Sequence, residues 1–417
     1  MPPPIGIRAE DKNRWERRAP LTPDHVAELV RTHRIPVRVQ PSSRRAFSDL
    51  DYERAGADLA LDLSPCSVIL GVKEVPLEKL RHRKTYMFFP HVTKGQAYNM
   101  PMLRRLIELE CTLIDYEPIV DRRGRRIIFF GRHAGYAGMI DSLWALGQRL
   151  AWEGFTTPFH DVRLAHQYSS LDEAMRHIAT IGDHIRRIGL PVGLRPVVFA
   201  FTGSGNVSQG AQEVFDRLPF INIGVEDLRQ LEEDRDRPRN VVYKTFIDRE
   251  QRGDLGGLLP HITVFINGIY WEPGQPRLIT IEALRSLWRD DPQPKLRVIG
   301  DITCDIGGSI EATVQTTQPG DPVYVYDVDS GVAQPGAAGR GPVIMAVDNL
   351  PCELPVEASQ HFGDSLLRFV PALSRCNWSA PLDELDVPDE LRRAVILHRG
   401  ELTPRYRYLE QPVRTAG

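Results

Sequence analysis

Residues 197–202 read VVFAFT and run without a break into GSGNVSQG at 203–210. Five apolar residues in a row, closed by a threonine, suit a strand buried on both faces. Two glycines directly behind it, then apolar positions at helical spacing over 211–218, complete a strand, tight turn and helix. Few folds accept that order besides a doubly wound parallel sheet. Gly203 permits the turn, and Gly205 lets backbone N–H groups come close to a pyrophosphate. The helix N-terminus beyond it favours negative charge. Gly203, Ser204, Gly205, Asn206 and Val207 are therefore the expected dinucleotide cradle. An acidic residue for the ribose belongs roughly 20 residues on. Glu226 and Asp227 fall in that range, where a solvated helix start is an equal reading.

The same grammar extends in both directions. Short apolar runs at 36–39, 67–72, 86–89 and 112–116 are separated by helical patterns such as Met100, Leu103, Leu106 and Ile107. Further runs follow at 264–266, 297–299 and 343–347, and a long amphipathic helix is expected over 137–152. Segments 231–239 and 331–342 read as loops. A chain of 417 residues with 42% hydrophobic content is too long for one core, so two α/β domains are expected. A net charge of -3 leaves no basic surplus for nucleic acid. Cys66, Cys111, Cys304, Cys352 and Cys376 form no CxxC pair and the histidines no HExxH pair, so no metal site is assigned. Reduced cysteines, an N-terminal stretch without an apolar signal core, and acids at Glu10, Asp11 and Glu16 that break an import-signal pattern point to a soluble cytoplasmic protein. No run reaches the ~18 apolar residues of a membrane span.

In parallel sheets, functional groups collect just past the carboxyl ends of strands. Lys73 follows the run at 67–72 and His91 the run ending at Pro90. Each alone fits a solvated charge or a structural histidine. Together on consecutive strand ends they fit an acid/base pair, with Glu74 placed to tune Lys73. Arg17, Arg18, Lys94, Arg125 and Arg126 cluster near the same edge, and Arg grips carboxylates bidentately. For 122–126 a solvated loop is the simpler reading.

Several longer strings go further: EDKNRWERRAPLTP (10–23), VILGVKEVP (68–76), KTYMFFPHVTKGQ (84–96), TLIDYE (112–117) and AGYAGMID (134–141). FTGSGNVSQGAQEVF (201–215), INGIYWE (266–272), GDITCDIGGSIE (300–311), VDNLPCELPVEAS (347–359) and AVILHRGELTPRYRYL (394–409) join them. With these strings the chain resembles, end to end, the lysine-ketoglutarate reductase (saccharopine dehydrogenase) family, the reductase half of aminoadipate semialdehyde synthase. More distantly it is similar to alanine dehydrogenases and the soluble part of transhydrogenase. The resemblance implies two doubly wound parallel-sheet domains, a Rossmann domain (156–345) with linker helices being inserted into a split catalytic domain (1–155 and 346–417).

It also implies roles. Lys73 and His91 match the acid/base pair, with Glu16, Glu74 and Glu117 as tuning carboxylates. Arg18 and Arg126 match groups that hold oxo-acid carboxylates, and Lys94 and Phe130 neighbouring pocket positions. Asp305 matches an acid near the nicotinamide, and Asn349 a polar residue in the return loop beside it. The implied reaction interconverts saccharopine with lysine plus 2-oxoglutarate. A reductase joining another amino acid to an oxo acid, or a non-catalytic dinucleotide-binding regulator, are the alternatives. The resemblance favours NADP, whereas Glu226 and Asp227 favour the free ribose diol of NAD. Animal and plant members continue into a second domain that this sequence lacks, which implies a separate saccharopine dehydrogenase acting on the product. Residues 234–260 also read as shorter than in those relatives.

Overall fold

The computed structural model describes residues 2–234, 236–272 and 274–415. Two compact units divide the chain: Gly131–Leu354 forms one, and the segments ending at Phe130 and starting at Pro355 form the other.

The first unit opens with β1 (Ile5–Ile7), α1 (Pro23–Arg31), β2 (Val37–Val39), α2 (Asp49–Ala55) and β3 (Asp58–Leu59). β4 (Val68–Leu70), β5 (Thr85–Phe88), α3 (Met100–Glu108) and β6 (Thr112–Asp115) follow. β1 and β4 to β6 are buried at every position, as the continuous apolar runs require. α1 takes Pro23 in its first turn, and α2 is capped by the Ser48 side chain and closed by Gly56 at φ 97°.

The second unit begins with α4 (Gly131–Trp152) and α5 (Leu171–Ile188), then β7 (Val198–Thr202) and α6 (Asn206–Phe215). β8 (Phe220–Asn222), β9 (Val242–Ile247), β10 (Val264–Asn267) and β11 (Val298–Asp301) follow, then β12 (Val323–Tyr326), β13 (Ala333–Pro335) and β14 (Val343–Met345). Their order is β13-β12-β14-β11-β10-β7-β9-β8, with β12 antiparallel to both β13 and β14 and the other pairs parallel. β8 lies at the edge, and β9 separates it from β7.

The chain then returns to the first unit as β15 (Val395–His398) and β16 (Glu401–Leu402), completing the order β16-β15-β6-β5-β4-β1-β2-β3. β15 is antiparallel to β6.

α4 starts six residues earlier than its hydrophobic pattern predicts, and it packs with the second unit. A Cβ on Gly135 would lie 2.1 Å from the Val207 carbonyl oxygen, and one on Gly210 2.2 Å from that of Arg132. α4 and α6 therefore touch backbone to backbone. For this reason the division falls at 130/131 rather than at the 155 of the sequence reading. The other boundary lies at 354/355 instead of 345, because the turn Leu350–Glu353 also belongs to the second unit. Helix Leu228–Glu233 covers the start of the loop expected at 231–239, of which residue 235 is outside the described residues. Within the loop expected at 331–342, β13 pairs with β12. Among the described residues, no helix is long and apolar enough to cross a membrane.

Candidate active site

Lys73 and His91 stand where the strand-end argument puts them, just beyond β4 and β5, which are neighbours in the sheet. The backbone at Lys73 is held by Glu10, a buried residue behind β1 whose two oxygens accept the N–H groups of Val72 (2.8 Å) and Lys73 (3.0 Å). His91 occupies the left-handed region at φ 48°, where a residue with a Cβ is uncommon and strain is often tied to function. Its carbonyl accepts a hydrogen bond from Asn99 Nδ2 at 3.0 Å.

Glu74 Oε1 lies 3.0 Å from His91 Nδ1, and Oε2 lies 2.9 Å from Lys12 Nζ. Burial alone would raise this carboxyl, but the His91 and Lys12 contacts outweigh it and hold Glu74 down to about 2. An anionic Glu74 selects the tautomer with a proton on Nδ1 and leaves Nε2 to exchange protons. The carboxylate expected to tune Lys73 thus orients His91.

Glu16 grips Arg18 through two bonds, 2.8 Å to Nε and 2.6 Å to Nη2, and both side chains are buried. The Arg18 guanidinium lies 4.3 Å from the centre of the Phe130 ring. Phe130 in turn lies 6.1 Å from Phe89, whose ring stacks with His91 at 6.2 Å and 15°. Glu16, Arg18, Phe130, Phe89, His91 and Glu74 therefore form one line of contacts. Arg126 and Glu117 make a separate ion pair, with the arginine side chain 55% exposed, and Lys94 is exposed on the turn after His91.

In the second unit, Gly203, Asp305 and Asn349 follow the carboxyl ends of β7, β11 and β14. Gly203 has φ 85°, and a Cβ there would meet the Gly268 carbonyl oxygen at 2.5 Å. Gly205 caps α6, and a Cβ on it would meet nothing within 4 Å. That open cradle at a helix N-terminus fits a dinucleotide pyrophosphate. Gly205→Val should accordingly leave the unfolding midpoint near wild type while removing coenzyme binding in a fluorescence titration. Unchanged affinity would make the motif only a turn.

Behind these loops lies a buried polar network. Asn267 Nδ2 reaches Asp301 Oδ1 (2.9 Å), Thr303 Oγ1 (3.1 Å) and Ser309 Oγ (2.9 Å). Asp301 accepts from the hydroxyls of Thr303 (2.7 Å) and Thr313 (2.6 Å) and from the Cys304 N–H (3.3 Å). Cys304, at φ 47°, directly precedes Asp305. The network thus holds the strained turn that carries Asp305. Asn267 and Asp301 were missed in the sequence, although each is the polar last residue of an apolar strand, the signal that singled out Lys73.

Asn349 caps the turn Leu350–Glu353. Glu353 and Asp141 of α4, both fully or almost fully buried, hydrogen-bond to each other. Asp141 Oδ1 accepts the Ala165 N–H (2.8 Å) and Glu353 Oε2 the His166 N–H (3.3 Å). The remaining oxygens, Asp141 Oδ2 and Glu353 Oε1, have no other partner among the described residues. A shared proton resolves this. Burial raises both groups, Glu353 to about 8 and Asp141 well above the carboxylate range, and His166 Nδ1 lies 3.4 Å from Glu353. A carboxyl raised on folding stabilises the protein most below its unfolded pKa, and that stability is lost as pH rises toward the folded value. Between pH 5.5 and 7.5, Asp141→Asn should therefore lose about 1–3 kcal/mol less stability than wild type in urea unfolding. Parallel losses in the two proteins would refute the shared proton.

Two family models match the chain: the alanine dehydrogenase/PNT N-terminal domain over residues 6–137, and the C-terminal domain of the same family over 263–405. The chain belongs to the alanine dehydrogenase/PNT family. This is an oxidoreductase family of NAD(P)-dependent dehydrogenases. The chain is 38% identical over 98% of its length to alpha-aminoadipic semialdehyde synthase, mitochondrial, of Mus musculus, covering 48% of that protein. It is also 38% identical over 97% of its length to alpha-aminoadipic semialdehyde synthase of Arabidopsis thaliana, covering 41%. It spans about half the length of these relatives or less. Saccharopine dehydrogenase [NAD(+), L-lysine-forming] of Neurospora crassa is 28% identical over 88% of this chain and 90% of its own. Among solved structures, L-alanine dehydrogenase superposes with a TM-score of 0.61 at 18% identity, covering 99% of both chains. Transhydrogenase from Sinorhizobium meliloti gives 0.55 at 15%, covering 96% of this chain and 98% of that one. Both carry the same fold, and the resemblance read from the sequence strings stands.

Proposed function

We propose that this member of the alanine dehydrogenase/PNT family is a nicotinamide-dependent reductase that joins the lysine ε-amine to 2-oxoglutarate, forming saccharopine. The observation that carries this reading is the line of contacts from Glu16 through Arg18, Phe130 and Phe89 to His91 and Glu74, at the sheet edge where Lys73 also stands. It sets a carboxylate-binding guanidinium and a proton-exchanging imidazole on either side of an aromatic floor. The names of the relatives, aminoadipic semialdehyde synthase and lysine-forming saccharopine dehydrogenase, support the same substrates.

Arg18 holds one carboxylate of the oxo acid, while Arg126 and Lys94 offer positive charge to the other. The ε-amine must lose a proton before it attacks the oxo carbon, and the departing water must gain one. Lys73, when neutral, accepts the first, and His91 Nε2 passes the second. Phe89 and Phe130 keep water from the imine carbon. Gly203 and Gly205 would hold the pyrophosphate of a nicotinamide coenzyme, which would supply the hydride, and Asp305 and Asn349 would be the residues on its nicotinamide side.

The test is to follow NADPH and NADH consumption with 2-oxoglutarate and a panel of amines, with mass identification of the product. Lysine-dependent turnover yielding saccharopine is the expected result. Turnover with another amino acid alone would make the protein a different oxo-acid reductase. Binding of coenzyme without turnover on any amine would make it a regulator.

A further inference from the structure

α1, α2 and α3 carry the chain from β1 to β2, from β2 to β3 and from β5 to β6. Among the described residues, the connections from β3 to β4 and from β4 to β5 hold no α-helix, only the short turn Leu77–Lys79. A parallel sheet is ordinarily covered by helices on both faces, so here two loops stand in for helices. Beneath them, within the first unit, lies a cavity of about 600 Å³, the size of a small-molecule site. Its wall is apolar: Ile69 and Tyr86, register partners on β4 and β5, with Leu63 and Val75 from the two loops. Lys73, His91, Arg18, Arg126 and Lys94 do not line it.

The acids around this cavity are already matched. Asp11 holds Arg8 at 2.5 Å and also Lys79, Glu10 holds Arg8 at 3.2 Å, and Asp62 accepts the N–H and the hydroxyl of Ser64 at 2.8 and 2.6 Å. Two exposed cations of the lining are not. The Arg44 guanidinium donates to the Asn13 carbonyl (3.3 Å), and that of Arg81 to the carbonyls of Glu78 (2.8 Å) and Leu80 (3.3 Å). Neither forms an ion pair among the described residues.

We propose that this cavity binds a small aliphatic carboxylate, gripped by Arg44 and Arg81, and that the bound ligand stiffens the turn carrying Lys73. A guanidinium fork fits a carboxylate through two parallel bonds, while the apolar wall removes an aliphatic body from water. Phosphate sites draw on free backbone N–H groups, and here those of Ala9, Ser42, Ser64 and Arg81 are given to Gln40, Asp49, Asp62 and the Tyr86 hydroxyl. Arg8 joins the cavity to Lys73. It lines the cavity and lies so close to the Gly71 backbone that a Cβ there would meet its Cδ at 2.9 Å. Its partner Glu10 accepts the N–H groups of Val72 and Lys73. Opening of that turn breaks the frame of Asp11, Arg8 and Glu10 that walls the cavity, so a ligand seated against the frame suppresses the opening by mass action.

The experiment is an NMR titration of the full chain with hexanoate, hexylamine and inorganic phosphate, in wild type, in the pair Arg44→Gln with Arg81→Gln, and in Arg126→Gln, with unfolding midpoints to confirm that each variant folds. Hexanoate should bind wild type about tenfold or more tightly than either of the other probes, as a charge-assisted contact implies. The Arg44/Arg81 variant should lose about tenfold or more of that affinity, and Arg126→Gln should stay within about twofold of wild type. At saturating hexanoate, amide hydrogen exchange at Val72 and Lys73 should slow severalfold in wild type. Hexanoate affinity that ignores Arg44 and Arg81 but falls in Arg126→Gln would place the probe beside Arg126 and overturn the proposal. Equal binding of phosphate or hexylamine, or no binding of hexanoate, would overturn it too. Binding with unchanged exchange at Val72 and Lys73 would overturn the link to Lys73. None of these readouts uses turnover, so failure of the proposed reaction is a separate result.

Discussion

Lys73→Met and His91→Gln are each expected to lower the turnover number by roughly 10² or more, the scale of one general acid/base. The double variant should lose less than the product of the two, because both groups serve one proton-transfer sequence and removing either leaves the other little to do. Each single substitution should remove one limb of the pH profile of turnover. Coenzyme titration should be unaffected in all three variants, since the cradle residues belong to the other unit. Glu74→Gln offers a control of a different kind. It keeps the shape beside His91 Nδ1 but removes the charge that selects the tautomer, so it should lower turnover without abolishing it. Near wild-type turnover of Lys73→Met, with an unchanged profile, would leave Lys73 an ordinary solvated charge at a strand end.

Arg18→Ala should have an effect of comparable size on stability. The Glu16 side chain is wholly buried against Arg18, and removing one member of such a pair leaves a buried charge uncompensated at a cost of about 3–5 kcal/mol. Replacing both at once, Glu16→Leu with Arg18→Met, should restore much of that stability, because an apolar pair of similar volume needs no desolvated charge. The kinetic effect should not be restored. Both variants should show a KM for 2-oxoglutarate raised far more than that for coenzyme, the loss of one charge-assisted contact corresponding to ~1.5–3 kcal/mol. Equal small effects on the two substrates would remove Arg18 from the carboxylate site and leave it a packing residue.

The strands that carry the site were legible because they are buried on both faces. Runs such as 67–72 and 197–202 can hardly be anything else, and their ends locate Lys73 and Gly203 without further information. β9 was not, because VYKTFI alternates Lys244 and the exposed Phe246 with buried residues, and it lies after a charged segment. Missing it hid the neighbour of β7. Pairing was equally hidden: that Glu74 contacts His91 depends on how the ends of β4 and β5 are aligned, which adjacency of Glu74 to Lys73 in the chain obscures. The roles of Gly135 and Gly210 were also out of reach, because they depend on a close approach between α4 and α6, which lie far apart in sequence.

The hydrogen bond between Asp141 and Glu353 also bears on how the chain is assembled. α4 is the first element of Gly131–Leu354 and Glu353 its next-to-last residue, so this bond draws the two ends of the inserted unit together once it has folded. The other unit cannot finish its sheet until β15 reaches β6, which would mean closing a loop the length of the whole insertion. With the insertion already folded and its ends pinned, that loop is short. The order of events during synthesis follows: Gly131–Leu354, continuous in sequence, can fold as soon as it is made, and the split unit completes its own sheet afterwards.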